Sequence, residues 1–482
     1  MVASTIFLSI VDGAITTVAL PSIGHQFNLA ATSLDSVVVV YPVCVGMLLP
    51  ASAWLGDRFG GKRVLLLSLA LFTLASALCG AAENLGQLVA YRALQGCAAG
   101  LLMPVGGTML FRTFSARERV RAGRLMIFPQ QVAPAMAPIL GGVLVDSFSW
   151  RWVFYVNLPV GIAATLFGLV FLAPHHDHPA GRLDIPGLLL SATGLAGLMY
   201  GVCEGAQLGW SSAPVVAALA GGSVLLAAAV LVQLRSPEPV LRLRLFGNRL
   251  FRDTNLICLV GMVAMMGAMF LGPLFIQEAQ GRSALASGTS TFTEAFGVVL
   301  TVQVAGAVYA RVGPRLIVAA GLGLVACVLL LLSTCDLHSS LWTFRLYMFL
   351  LGIGMGGVFM PTTVASLSTV RPADVAHAST LNTMVRQTAG ALAPAVVATL
   401  LVLGAGPKDR AAPPVAAYQD AYRALAVIAL AAALFSLTMR DGAARRAALG
   451  EPEPVPDHGP DRDGYPTAAR STRNSSAIRS SE

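Results

Sequence analysis

Stretches of about 20 apolar residues, the length a helix needs to cross the hydrocarbon core of a bilayer, recur along almost the whole chain. In lipid every backbone N–H and C=O must find its partner within the protein, which leaves helices or closed barrels. Runs this long and this apolar read as helices. The windows between polar breaks predict fourteen spans, near residues 3–24, 36–55, 64–82, 86–110, 122–146, 152–172, 185–205, 214–234, 254–276, 288–310, 316–333, 342–361, 380–403 and 421–439. Composition agrees, with 56% of the 482 residues hydrophobic and 12% charged; a soluble domain is roughly half apolar and a quarter charged. A disordered chain, a nucleic-acid-binding domain and an ordinary soluble enzyme are excluded. The expected fold class is an all-α polytopic membrane protein whose surroundings are the lipid bilayer.

Charge sets the expected orientation. Lys and Arg collect in cytoplasmic loops, and with both termini cytoplasmic the inner loops hold sixteen of them. The outer loops then hold four, Arg151, Arg282, Lys408 and Arg410. The seven cysteines form no CxxC pair, so neither a disulfide framework nor a zinc site is expected. Asp12 within the first span, and no basic leader before it, read as a retained helix and not a cleaved signal. Residues 441–482 are rich in Pro, Ser, Arg and Asp without apolar periodicity and are expected to be disordered.

The chain also repeats itself. RFGGKR (Arg58–Arg63) and RVGPR (Arg311–Arg315) each join two spans, so that Arg58, Gly60 and Lys62 align with Arg311, Gly313 and Arg315. The fourth span ends in GLLMP (Gly100–Pro104) and the twelfth in GVFMP (Gly357–Pro361). Internal repeats of this kind mark secondary transporters. They predict two six-helix halves, 1–172 and 253–440, separated by two linker helices with their loops, 173–252, and followed by a tail, 441–482.

Residues 54–64, WLGDRFGGKRV, resemble the loop signature between helices 2 and 3 of the major facilitator superfamily. Gly56, Asp57, Arg58, Gly60, Lys62 and Arg63 are in place, although Ala53 stands for the usual first glycine and Gly61 for one basic position. A carboxylate at a helix start suits the helix dipole; it can also hold a basic partner on the opposite bundle, which would make this loop a conformational control. VDGAITTVALPSI (Val11–Ile23) and WRWVFYVNLPVG (Trp150–Gly161) are similar to segments of the fourteen-helix drug:proton antiporter branch. YRALQGCAAG (Tyr91–Gly100) matches the superfamily's helix 4 pattern, with Arg92, Gln95 and Gly96 in register. APAMAPILGG (Ala133–Gly142) resembles the antiporter signature of helix 5, with Ala133 and Ala137 replacing two expected glycines. The resemblance covers about residues 5–440 and implies the major facilitator fold, with two extra central helices and alternating access.

Ionisable residues at membrane depth are costly and therefore functional candidates. Asp12, Arg92 and Glu294 are the proton-coupling candidates; a helix–helix hydrogen bond is the structural alternative for each carboxylate. Asn382 and Arg386, four apart and so on one helix face, are candidates for the substrate cavity, as are Gln130 and Gln131 with Met126 nearby. Soft methionines beside polar groups suit a poly-specific site. Gly352, Gly354 and Gly357 spell GxGxxG, but within an apolar run and after no strand, so helix packing explains them better than a dinucleotide. His175, His176, Asp177 and His178 are consecutive in a loop and read as a solvated turn, and no metal is expected. No Walker lysine motif and no cofactor signature occur. The expected function is therefore proton-coupled efflux of small amphipathic or hydrophobic compounds, cationic ones among them, through the cell membrane by a monomer that uses no ATP. No catalytic residue is assigned. A dedicated exporter of one endogenous metabolite or antibiotic, and a non-transporting membrane sensor, are the rival readings.

Overall fold

The computed structural model describes residues 2–27, 35–113, 140–145, 147–172, 183–371, 374–404 and 414–449, with isolated positions 118, 133, 136 and 137. Among these residues the chain is helical throughout, and eleven helices are long and apolar enough to span a membrane. The number is thirteen if two bent segments each count as one span. Each predicted span has a helical counterpart except 122–146, most of which lies outside the described residues.

The first group comprises α1 (Val2–Phe27), α2 (Asp35–Leu48), α3 (Ser52–Phe59), α4 (Gly61–Gly80), α5 (Leu85–Thr113), α6 (Trp152–Tyr155) and α7 (Asn157–Phe171). Two long helices follow, α8 (Ile185–Leu208) and α9 (Ala213–Arg235). The second group runs through α10 (Arg249–Leu274), α11 (Ala284–Thr291), α12 (Thr293–Val312), α13 (Pro314–Leu332), α14 (Leu341–Ser368), α15 (Val375–Gly404) and α16 (Val415–Ser436). Each group packs chiefly on itself, α5 on α4 and α2 in the first, α14 on α12 and α13 in the second. Helix α9 packs on α8, which in turn touches α2 and α15, so the pair sits beside the two groups.

The aligned loops share one backbone device. Gly60 (φ 85°) separates α3 from α4, and Gly313 (φ 87°) separates α12 from α13. Both occupy the left-handed region, where a side chain is strained. Gly60→Ala is expected to cost about 1–2 kcal/mol, read as a lower thermal midpoint of the purified protein; an unchanged midpoint would show that the turn relaxes freely.

The second loop has Ala310 where the first has Asp57. A carboxylate reaches it from farther along the chain: Asp441 Oδ2 accepts the Arg315 N–H at 3.2 Å, and Arg445 Nε donates to the Ala310 carbonyl at 3.3 Å. This corrects the expectation for the tail. Its first residues form a short helix, α17 (Gly442–Leu449), docked on the second group; residues 450–482 lie outside the described residues.

One expected span end also moves. Helix α14 continues past Pro361 to Ser368, and α5, as expected, runs through Pro104, to Thr113. A buried helix tolerates proline when nearby hydroxyls satisfy the backbone. Pro361 removes the N–H that would reach the Gly357 carbonyl, and beside that gap the Thr362 and Thr363 hydroxyls add bonds to the Val358 and Phe359 carbonyls at 2.7 Å.

Candidate transport site

Asp12 lies midway along α1 and is fully buried, 0% exposed. Its partner comes from α5: Arg92 Nη1 donates to Asp12 Oδ2 at 2.5 Å and is itself 1% exposed. The other carboxylate oxygen, Oδ1, accepts from Gln95 Nε2 at 2.8 Å and Asn157 Nδ2 at 2.6 Å. Ser76 on α4 closes the network, accepting from Asn157 at 2.9 Å and Gln95 at 3.2 Å while donating to the Phe154 carbonyl. Arg92 also donates to Gln95 Oε1 at 2.7 Å and lies over the Tyr41 ring, 4.3 Å from its centroid. Five helices, α1, α2, α4, α5 and α7, thus converge on one ion pair. Breaking such a buried pair by removing one partner typically costs 3–5 kcal/mol, because the other charge is left uncompensated.

A cavity of about 670 Å³ lies between the two groups, within the usual range for small-molecule sites. Ser9, Tyr41, Arg92 and Met103 line it from the first group; Met262, Met266, Met269, Phe359 and Met360 line it from the second. Helix α15 contributes Asn382, Thr383, Arg386 and Gln387. Near the end that carries the Gly60 turn, hydrogen bonds join the groups: Ser52 Oγ with Thr380 Oγ1 at 2.9 Å, and Ser379 Oγ to the Pro104 carbonyl at 3.3 Å.

The sequence-derived residues fall into three places. Asp12 and Arg92 meet. Asn382 and Arg386 both line the cavity, Asn382 donating to Ser366 Oγ at 2.8 Å and Arg386 to the Thr363 hydroxyl. Glu294 is buried at the start of α12 but is absent from the cavity lining, and its Oε1 has no hydrogen-bond partner among the described residues. Met126, Gln130 and Gln131 lie outside the described residues, as do His175–His178.

In the loop motif, Lys62 Nζ donates to the Leu169 carbonyl at 3.0 Å and to that of Leu172, so its charge sits at the C-terminal end of α7, where the helix dipole favours it. Gly56 and Asp57 are half-buried; Arg58 and Arg63 are exposed. Gln95, Asn157 and Ser76 were not singled out as site residues. They are neutral, and at membrane depth only ionisable groups carry a large transfer cost that stands out in a sequence.

Beyond α9, residues 240–245 dock on the second group. His377 Nδ1 is 2.9 Å from the Val240 carbonyl, and Asp374 holds both Arg242 and Arg371. Burial works against the Asp374 charge, but the two guanidiniums outweigh it and hold the carboxyl below the usual carboxylate range.

The family model described as "Major Facilitator Superfamily" matches residues 2–394. The chain belongs to the major facilitator superfamily. It is 29% identical over 395 residues to the multidrug resistance protein B homolog of Mycobacterium tuberculosis, covering 81% of this chain and 73% of that protein. It is 32% identical over 356 residues to the putative multidrug resistance protein MdtD of Pectobacterium carotovorum, covering 73% of this chain and 76% of the relative. The solved structure of the human organic anion transporter MFSD10 superposes with a TM-score of 0.65 at 14% identity, covering 90% of this chain and 98% of the other; at that identity the likeness shows the fold alone. This superfamily member is therefore a multi-pass transporter of small molecules and not an enzyme.

Proposed function

We propose that this protein exports small apolar or amphipathic compounds across the cytoplasmic membrane in exchange for protons, with both termini in the cytoplasm. The observation that carries the proposal is the Asp12–Arg92 pair, buried from solvent yet bordering through Arg92 a methionine-rich cavity between the two groups of helices. Ionised, Asp12 holds Arg92; protonated, it releases one charge-assisted bond and weakens the tie between α1 and α5, which Gln95 also makes. A group that alternates between these states as the cavity opens to each side in turn carries one proton per cycle. The halves 1–172 and 253–440 would rock about the cavity, α8 and α9 remaining at the side. The multidrug names of the relatives support the substrate class.

Purified protein in proteoliposomes tests this. A panel of neutral apolar dyes is expected to accumulate in vesicles with an acidic lumen, relative to protein-free vesicles, and to leave when an ionophore collapses the gradient. Counterflow without any effect of the gradient would overturn proton coupling, and the absence of both would overturn transport of this class.

A further inference from the structure

We propose that the central cavity receives compounds with an anionic group on an apolar body, and that Arg386 is the residue that binds the anion. This rests on the transport reading above and names its substrate class.

The charges that line the cavity decide the matter. Among the described lining residues only Arg92 and Arg386 are charged, and neither Asp nor Glu is present. Arg92 is neutralised by Asp12. Among the described residues Arg386 has only neutral partners: the Thr363 hydroxyl, the Phe359 carbonyl at 3.5 Å, the Phe359 ring 5.7 Å away and the Cys258 thiol. Other buried or membrane-depth carboxylates among the described residues are placed elsewhere. Glu294 does not line the cavity, Asp253 is paired with Arg249 and Arg252 at the start of α10, and Glu278 accepts from Tyr418. Within the expected fifth span, 122–146, residues 122–145 contain no Asp or Glu, and its one acid, Asp146, stands at the end of the span and lies outside the described residues.

An arginine stays protonated in any protein environment, and a charge without a counter-ion at membrane depth is expensive. The vacant counter-charge is a binding opportunity for the transported compound. A guanidinium offers paired N–H donors to a carboxylate, and the Asn382 amide one turn away and the adjacent Gln387 line the same cavity. Met262, Met266 and Met269 supply a soft wall for the apolar body. A cationic compound would meet Arg386 with no carboxylate to hold it, contrary to what the sequence alone suggested.

Three probes share one body and differ in charge: 1-naphthylacetate, 1-naphthylacetamide and (1-naphthylmethyl)trimethylammonium. Binding to the purified full-length protein is measured without a proton gradient. The carboxylate is expected to bind about tenfold more tightly than the amide, the scale of one hydrogen bond to a charged group, and the ammonium weakest. Arg386→Gln should weaken the carboxylate about tenfold more than the amide and so remove the difference between them. Arg386→Lys, which keeps the charge but not the fork, should retain part of it. Equal weakening of carboxylate and amide in Arg386→Gln would make the arginine a packing element and overturn the proposal, as would tighter binding of the ammonium in the parent. A protein that prefers the carboxylate yet moves nothing in a gradient would instead overturn the coupling reading and leave this one standing.

Discussion

Asp12→Asn is expected to abolish proton-driven accumulation while leaving binding and equilibrium exchange of the same compound in place. The asparagine keeps the size of the side chain but cannot titrate. Its amide nitrogen must also face the donors of Arg92, Gln95 or Asn157, all of which now point at a carboxylate oxygen. Arg92 then keeps Gln95 Oε1 and the Tyr41 ring, and the link between α1 and α5 no longer depends on a proton. Each pH unit is worth 1.36 kcal/mol, or tenfold. Across two units, one-for-one exchange can therefore sustain about hundredfold accumulation, and the uncoupled variant should sustain none. Because Asp12 does not line the cavity, affinity for a neutral compound should change little, whereas an anionic one gains the unneutralised Arg92 and should bind at least as tightly. Accumulation ratios in proteoliposomes, with counterflow as the companion measurement, check this, and Asp12→Glu should recover part of the coupling. If Asp12→Asn accumulates substrate like the parent, the pair is structural and Glu294 becomes the residue to test.

The largest effect on folding is expected at Gly352. An added Cβ there would stand 2.0 Å from the Glu294 carbonyl oxygen and 2.8 Å from its carbon. Across the same contact, a Cβ on Gly297 would stand 2.2 Å from the Phe349 carbonyl oxygen. Backbone meets backbone between α12 and α14, as small residues permit in membranes, and no side chain can swing away. Gly352→Ala should cost about 1–3 kcal/mol or more, seen as a lower thermal midpoint in detergent, and Gly352→Val should not yield folded protein. Gly323 is the control, with nothing within 4 Å of its Cβ position on α13; Gly323→Ala should be neutral or mildly stabilising through helix propensity. Equal behaviour of the two alanine variants would mean that α12 and α14 can separate at little cost.

Much of this architecture could be read from residues alone because its signals are local. Span positions follow from hydrophobicity over one helix length, and the Gly60 and Gly313 turns from a short repeated motif. Asp12, Arg92, Glu294 and Arg386 each stand out singly, since an ionisable group in an apolar run carries its cost wherever it finally points. The GxGxxG of α14 was likewise readable as packing from its helical context, and the crowding at Gly352 bears that out.

What the sequence by itself determined, then, was which segments are long and apolar enough to cross a membrane and which residues are too expensive to be there by accident. What only the tertiary structure decided was who meets whom. Asp12 and Arg92 are 80 positions apart, and Asn157 reaches Asp12 across 145. Glu294 remains without a partner for its Oε1 among the described residues, although its one-dimensional context is much the same. The charge offered to a substrate could not be read either, because it depends on which acids face the cavity and which are already neutralised. The physical reason is common to these cases. The cost of burying a charge is a property of the residue and its depth, whereas the compensation comes from the few ångströms around it, supplied by helices that only packing brings together.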